Sequence, residues 1–320
     1  MNYTDFKNSI INGEVSSIYL FEGEDSYFRE SGLNLLKKHL GIDLTLNYAS
    51  LDSDAGEDEI ISAITSYPMF GDKKITVIRE FYPDANVLNG ELGNCLEHPI
   101  EKNVFVILNQ KASANLQKYS KITIVDCNKM NASNLARFVK SEFAIKNVNA
   151  DMETCKVLCE YCQCLMTKID MEMQKLIAYL GEGGTLSINT INELVIKDTE
   201  YKIYELTDYI SRKQFDSALN AINDFLAKGE TFSRLILSLY NYYRRLLHIA
   251  ISTKTDSELA TLLGIKEYAV VKTRQQAKRF KVKGLKMAVD LLADSEYKIK
   301  SGQMQDSTQF WLSLYKIMLK

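Results

Sequence analysis

Three cysteines lie close together in the chain at a spacing that can hold iron. Cys155, Cys159 and Cys162 follow the pattern C-x3-C-x2-C, and Cys164 comes two residues later. Thiolates spaced in this way hold three irons of a 4Fe–4S cluster in radical S-adenosylmethionine enzymes, where they lie in an open loop. In this chain the apolar residues around them recur at helical spacing, which predicts a helix with a thiol-rich apolar face. We therefore interpret the cysteines as small buried apolar residues.

A zinc site is the next alternative for these thiols. Structural zinc is held by four cysteine and histidine ligands. The three histidines, His39, His98 and His248, are distant from the cysteines and from one another in the sequence. We therefore expect neither a metal site nor a cofactor in this chain.

The loop at residues 22–26 follows the first strand pattern, where an ATPase of α/β fold carries its phosphate-binding loop. A working P-loop has the pattern G-x-x-x-x-G-K followed by Ser or Thr, because the lysine neutralises the phosphates and the hydroxyl binds Mg²⁺. This loop has no lysine and carries Glu22, Glu24 and Asp25 instead, which would repel a polyphosphate. We interpret these acidic residues as caps of the following helix. Asp126, after a later strand pattern, is single and makes no Walker B pair, so we predict no ATP hydrolysis.

A helix-turn-helix pattern spans residues 257–283. Ala260, Gly264 and Val270 have the required spacing, and a series of basic residues follows: Lys272, Arg274, Lys278, Arg279, Lys281 and Lys283. Basic residues beside a recognition helix suit phosphate contacts, so a DNA-binding regulator is the alternative function. Against it, the candidate recognition helix is apolar at residues 268–271 and lies inside a longer helical pattern. A solvated basic face and a contact with a partner or DNA both stay open.

Two large apolar residues, Met69 and Phe70, fall outside every predicted helix and strand. Pro68 disfavours helical geometry in the residue before it, and Gly71 followed by Asp72 indicates a turn. Connections normally run over the surface, so the pair is predicted to form an apolar knob on a rigid base. The alternative is that the loop folds back and buries both side chains.

The elements that must position these residues alternate between strand and helix over the first 145 residues. The strand patterns cover residues 18–21, 46–51, 75–78, 104–108 and 122–125, and the helical patterns cover 27–40, a run ending at 65, 87–96 and 135–143. Such alternation predicts an α/β domain with a parallel sheet and helices on both faces.

Beyond about residue 148 the sequence predicts helices only. Three short helical patterns, at 150–165, 168–180 and 188–195, precede a helical bundle from about 203 to 320. One apolar face in this bundle holds the helical spacing over five turns: Phe232, Leu235, Ile236, Leu239, Tyr243, Leu246, Leu247 and Ala250. We therefore predict three domains, an α/β domain at 1–145, a small helical domain at 146–202 and an all-α domain at 203–320.

Composition limits the possible compartments and partners. The chain has 320 residues, of which 46% are apolar and 25% charged, as in ordinary soluble proteins. Its net charge of −2 argues against a surface built throughout for nucleic acid. We find no leader peptide and no apolar run near the roughly 18 residues that span a bilayer, and we expect reduced thiols. We expect a cytoplasmic protein without membrane contact.

Four sequence strings, in this order, resemble one family. They are YLFEGEDSYFRE at 19–30, SYPMFGDKKITVIREF at 66–81, EMQKL at 172–176 and LADSEYKIKSG at 292–302. Together they resemble the delta subunit of the bacterial DNA polymerase III clamp loader, over nearly the whole chain. The cysteines do not contribute to this resemblance.

The resemblance implies a fold, a function and a site. It implies the AAA+ fold for the first two domains and a collar role, in oligomerisation, for the third. The implied partners are the sliding clamp, gamma/tau-type ATPase subunits, a delta-prime subunit and, through the assembled complex, primer–template DNA. The chain would bind the clamp and open it or trap it open during chromosomal replication, as a non-catalytic subunit of the DNA-directed DNA polymerase (nucleotidyltransferase) holoenzyme. In the family an apolar pair enters a pocket on the clamp, and that role transfers here to Met69 and Phe70.

Overall fold

The structure is a computed structural model that describes residues 1–69 and 71–319. Contacts within the chain define two compact units, Met1–Met130 and Asn131–Lys320, and each is described by itself. The three domain boundaries given above stay a prediction.

The first unit contains a five-stranded parallel sheet in the order β2-β3-β4-β1-β5. Its strands are β1 (Ile18–Glu22), β2 (Tyr48–Leu51), β3 (Lys74–Arg79), β4 (Asn103–Asn109) and β5 (Ile122–Asp126). Its helices are α1 (Tyr3–Ile11), α2 (Ser26–His39), α3 (Glu57–Thr65), α4 (Ala85–Leu88) and α5 (Glu91–Glu97), with a 3-10 turn at Leu116–Lys118. All five strand patterns are confirmed as members of this sheet.

Helices cover both faces of the sheet, as predicted. Side chains alternate between faces along a strand, so Tyr19 and Phe21 of β1 point to one side and Leu20 to the other. On the first side Phe6 of α1 packs edge-on against Tyr19 and Phe21, with ring centroids 5.5 and 5.0 Å apart. On the second side Leu20 shares a buried apolar cluster with residues of α3 and α5, among them Ile60 and Leu92.

Two helical features of the first unit differ from the sequence prediction. Helix α1 was not predicted, because its sequence has no strong periodic pattern. The packing of its buried residues against β1 and α2 stabilises it instead. The helical run at 87–96 divides into α4 and α5 at Asn89 and Gly90. Gly93 lies so close to α4 that a Cβ atom there would come within 1.9 Å of the Leu88 carbonyl oxygen.

The regular secondary structure described in the second unit consists of helices joined by turns and loops, with one isolated bridge between Asn149 and Thr185. The helices are α6 (Ala132–Ile145), α7 (Met152–Tyr161), α8 (Met166–Leu180), α9 (Ile188–Leu194), α10 (Thr199–Ser211), α11 (Phe215–Ala227), α12 (Phe232–Ile251), α13 (Asp256–Leu263), α14 (Glu267–Ala277), α15 (Val282–Lys300) and α16 (Asp306–Met318). No helix in the described ranges has the length and apolar content to cross a membrane.

Helix α12 is the centre of the larger helical core. Leu235, Ile236, Leu239, Tyr243 and Leu246 are buried in one cluster with residues of α10, α11, α15 and α16. The other three members of the predicted apolar face, Phe232, Leu247 and Ala250, are partly buried against the same cluster. The stripe is therefore core, as its spacing predicted, and burying each large side chain stabilises the fold by about 1.5–3 kcal/mol.

Candidate functional site

The loop that joins α3 to β3 presents apolar side chains to solvent. Met69 is 72% exposed and Tyr67 is 66% exposed, and Gly71 turns the chain with a φ of 85°. Phe70, the second residue of the predicted pair, lies outside the described residues. For Met69 the loop does not fold back into the core, so this side chain is an exposed apolar group.

A buried amide fixes the first end of this loop. Asn103, at the start of β4, is 2% exposed and donates from Nδ2 to the carbonyl oxygens of Ala63, Ile64 and Ser66, at 2.8, 2.9 and 3.3 Å. These carbonyls are at the end of α3, where the helix supplies no partners of its own. Its Oδ1 accepts from the Thr76 hydroxyl on the adjacent strand. The end of α3 is thereby tied to two strands of the sheet.

A second buried amide fixes the tip of the loop. Asn47, just before β2, is 4% exposed, and its Oδ1 accepts a hydrogen bond from the backbone N–H of Met69 at 2.8 Å. The backbone of Asn47 is itself fixed, because its carbonyl accepts from the Ile75 N–H at 2.9 Å. Met69 is thus held by its backbone while its side chain stays free in solvent. Such an arrangement limits the conformational entropy that a partner would have to remove on binding.

The two lysines after the turn have structural partners. Lys74 Nζ donates to the Ser66 hydroxyl at 2.5 Å and to the Ala63 carbonyl at 3.4 Å, and burial lowers the pKa of this ammonium. A cation at this place also suits the negative end of the α3 dipole. Lys73 donates to the Glu101 carbonyl at 2.6 Å. Lys74 therefore belongs to the base of the loop, and Tyr67 is the exposed neighbour of Met69 on its N-terminal side.

The acidic loop after β1 has internal partners for its carboxylates. Glu22 is 6% exposed, and its carboxylate accepts from the Ser113 N–H at 2.9 Å and from the Gln117 amide. Only Asp25 caps α2, by accepting from the Tyr27 N–H at 3.0 Å, so our interpretation of the whole acidic group as caps is wrong for Glu22. Exposed Glu24 pairs with Lys129 at 2.8 Å, so it too is not a cap, and this pair lowers the pKa of its carboxyl.

The backbone of this loop also differs from a phosphate cradle. Gly23 has a φ of 145°, and a Cβ atom there would lie 2.2 Å from the carbonyl carbon of Cys127. Glycine is therefore required by close packing of two chain segments. The Gly23 carbonyl accepts from the Arg29 guanidinium, and the Gly23 N–H donates to the Asn109 carbonyl. The adjoining cavity of about 470 Å³ is lined by three carboxylates, Glu22, Glu24 and Asp126, and by a single lysine, Lys111.

The cysteine cluster lies on and just after a helix, as predicted. Cys155 and Cys159 are buried on α7, Cys162 is buried at its end, and Cys164 is half-buried. Burial raises the pKa of Cys155 to about 11 and that of Cys162 to about 12. Within the described ranges no group of three or more histidine, cysteine or acidic residues is arranged to hold a metal ion.

The helix-turn-helix pattern corresponds to two real helices, α13 and α14, with Gly264 left-handed between them at a φ of 64°. Val270, the apolar residue of the pattern, is fully buried in a small cluster with Leu259 and Ile249. The basic residues of α14 are engaged inside the same unit, because Lys272 pairs with Glu160 at 2.6 Å and Arg274 with Asp256 at 2.7 Å. Arg279, just after the helix, pairs with Asp208. Half of the six proposed phosphate contacts are therefore internal ion pairs.

Sequence reasoning identified the exposed loop but not the two asparagines that hold it. Asn47 and Asn103 are separated from Met69 by 22 and 34 residues in the sequence, and nothing local marks them as buried. The only available signal was indirect, since each asparagine lies near the start of a predicted strand, and only the run after Asn103 is rich in β-branched residues.

The structure therefore defines an α/β unit with a five-stranded parallel sheet, followed by a helical region, with an exposed apolar loop on the first unit. Comparison with known proteins identifies the class. Residues 200–317 match the family model described as DNA polymerase III delta subunit, C-terminal domain. The solved structure of the Bacillus subtilis DNA clamp loader delta protein superposes with a TM-score of 0.80 at 19% identity, covering 99% of this chain and 100% of that one.

Two curated relatives agree with this class. The DNA polymerase III subunit delta of Bacillus subtilis (strain 168) is 21% identical over 98% of this chain and 96% of its own length. The probable DNA polymerase III subunit delta of Aquifex aeolicus (strain VF5) is 20% identical over 66% of this chain and 64% of its own length. The class that these comparisons define is that of clamp-loader subunits. Within that class, residues 200–317 match the family of DNA polymerase III delta subunits, and the chain as a whole is similar to members of that family.

Proposed function

We propose that this chain binds a sliding clamp through the α3–β3 loop, with Met69 and Phe70 as the apolar anchor. The observation that supports this proposal most strongly is the combination of a 72% exposed methionine side chain with a backbone held by Asn47. A large apolar side chain offered to solvent on a fixed backbone suits insertion into an apolar pocket. Met offers an adaptable thioether and Phe a rigid ring for such a pocket.

Clamp opening would follow from differential binding. A subunit that binds the closed and the open clamp interface with equal affinity does not change the equilibrium between the two forms. This chain must therefore bind the open form more tightly. We propose that ATP-driven changes in gamma/tau-type subunits expose the loop within an assembly that also contains a delta-prime subunit. The assembly would deliver the clamp to primer–template DNA in the cytoplasm.

We further propose that the chain itself hydrolyses no ATP. The buried hydrogen bonds of Glu22 and the contact of Gly23 with Cys127 support this, because they occupy the place of a phosphate cradle. The purified chain should give no phosphate release above that of a blank. Turnover that titrates with the chain would contradict this part of the proposal.

Surface plasmon resonance against the clamp of the same organism tests the proposal. The double variant Met69→Ser, Phe70→Ser should lose at least about 2 kcal/mol of binding free energy, roughly 30-fold in affinity, as at other interface hot spots. Met171→Ser is the matched control, since Met171 is 68% exposed on α8 in the other unit. Unchanged affinity in a folded double variant would rule out the anchor, and early melting of that variant would mean that the loop is needed for the fold.

A further inference from the structure

A second concave surface lies within the helical unit, where α10 ends, α15 begins and α16 ends. Its cavity measures about 660 Å³, which is the size of a pocket for a large side chain or a short peptide. We call it the collar groove. The lining is mainly apolar and aromatic: Tyr243, Phe280, Met287, Ala288, Ile317 and Met318. Leu319, which also lines the groove, is 62% exposed, and Val282, next to the groove in the chain, is 48% exposed.

Cationic side chains surround this apolar lining. Lys213, Arg279, Lys281 and Lys283 all line the groove. Arg279 is engaged by Asp208, but among the described residues no carboxylate pairs with Lys281 or Lys283. Both belong to the basic series that the sequence singled out and that the proposed clamp contact does not use.

The backbone at the same place adds further positive potential. Helix α15 begins at Val282, and its N-cap, Lys281, makes no side-chain hydrogen bond to the first turn. The first N–H groups of a helix lack intrahelical partners and favour anions. Lys283 and Gly284 of this first turn line the groove.

A buried polar group at the groove lacks a partner. Tyr243 is 1% exposed, and in the described part of the chain its hydroxyl has no hydrogen-bond partner. Most buried hydroxyls are hydrogen-bonded, because an unpaired one costs free energy. A ligand that brings an acceptor to the groove floor would remove this cost.

We propose that the collar groove binds an acidic segment of a partner protein that ends in large apolar residues. An apolar side chain would fill the cavity above Tyr243, and carboxylates would contact Lys281, Lys283 and the first turn of α15. The apolar floor favours a peptide over a nucleic acid duplex, since the sugar–phosphate backbone that a duplex presents gains from cations but offers nothing to Phe280 or Met287. This contact is separate from the Met69 loop and does not depend on clamp binding.

Fluorescence anisotropy of the full chain with a labelled hexapeptide tests the proposal. The probe has four aspartates followed by leucine and phenylalanine, and the comparison peptide has two serines in place of the apolar pair. We expect saturable binding of the probe and at least about tenfold weaker binding of the serine peptide. No binding of the probe at about 1 mM, or equal binding of both peptides, would overturn the proposal.

Three variants separate the groove from general charge. Lys281→Glu with Lys283→Glu should weaken probe binding at least about tenfold, whereas Lys278→Glu, a basic residue outside the groove lining, should change it less than about twofold. Gly284→Leu should block the groove, because a Cβ atom at Gly284 meets no atom within 4 Å and leucine also suits a helix better than glycine. Binding that survives Gly284→Leu would overturn the proposal. So would a single-stranded 20-mer DNA that displaces the probe and loses binding in the same variants.

Discussion

At the scale of single residues, Asn47 is the side chain that holds the anchor loop by its tip. Its Oδ1 accepts the Met69 N–H, and the amide is buried between that loop and β2. The backbone of an anchor that is already ordered costs a partner less entropy to bind. We therefore propose Asn47 as a positioning residue that acts through Met69.

Replacing Asn47 should weaken clamp binding through the mobility of the loop. Asn47→Leu removes the acceptor and should cost about 0.5–1.5 kcal/mol, or roughly two- to tenfold in affinity, whereas Asn47→Asp keeps an acceptor and should retain most of the binding. Hydrogen exchange provides the specific readout, because the Met69 amide should exchange faster in Asn47→Leu only. Unchanged exchange of that amide would contradict the role assigned to Asn47.

The buried thiols should make the free energy of unfolding of the helical unit depend on pH in the alkaline range. Burial raises the pKa of Cys155 to about 11 and of Cys162 to about 12, above the ordinary value of 9.0. The folded state therefore favours the neutral thiol, so this stabilisation is complete below about pH 9 and is lost as the pH rises toward 11 to 12.

Urea unfolding at pH 8 and pH 10.5 in the presence of a reductant measures this effect. The free energy of unfolding should fall with pH in the native chain and should fall less in the double variant Cys155→Ala, Cys162→Ala. Both proteins share their tyrosines, so tyrosine ionisation contributes equally to the two falls. Equal falls would show that the thiols do not contribute.

At the scale of elements, β4 begins and ends with a buried asparagine that fixes a neighbouring loop. Asn103 holds the end of α3, and Asn109 exchanges two hydrogen bonds, at 2.9 and 2.7 Å, with the backbone of Phe81 after β3. Both side chains are at most 2% exposed. The central strand β4 thus carries two buried asparagines that hydrogen-bond the backbone of neighbouring segments. Only Asn103 supports the α3–β3 loop.

This pair offers a matched experiment. Asn103→Leu and Asn109→Leu should each destabilise the first unit by about 1–3 kcal/mol, because each leaves buried backbone groups unpaired. Only Asn103→Leu should also weaken clamp binding, at temperatures where both variants are folded. Urea denaturation gives the stability of each variant and surface plasmon resonance gives the affinity. An equal loss of affinity in both would mean that the effect is global rather than local to the loop.

At the scale of the whole molecule, the sequence predicted the strands of the sheet, but it did not predict the hydrogen bonds that hold the α3–β3 loop. Strands β1, β3, β4 and β5 were found because each carries a β-branched or aromatic run that is buried or half-buried in the sheet, whereas in β2 only Leu51 is buried. Helix α1 was missed because nine residues give a weak periodic signal, and packing of Phe6 on β1 stabilises it instead.

The same contrast holds for the candidate site, where the exposed loop was predicted from the sequence and the residues that hold it were not. The exposure of Met69 followed from Pro68 and the glycine turn, which are local in the sequence, and from the family resemblance. The roles of Asn47 and Asn103 could not be predicted, because an asparagine that accepts from a distant backbone looks the same in sequence as one in an exposed turn. Likewise the basic residues of α14 gave no sign that Glu160 and Asp256 would pair with them.

The central claim is that the Met69 loop contacts the clamp, and site-specific photo-crosslinking tests it most directly. p-Benzoylphenylalanine placed at position 69 and irradiated with the clamp should give a covalent product between the two chains, mapped by mass spectrometry to apolar residues of one clamp pocket. The same probe at position 171 should give none. Crosslinks from position 69 only to residues of its own chain, or no product with a clamp that binds the native protein, would contradict the account.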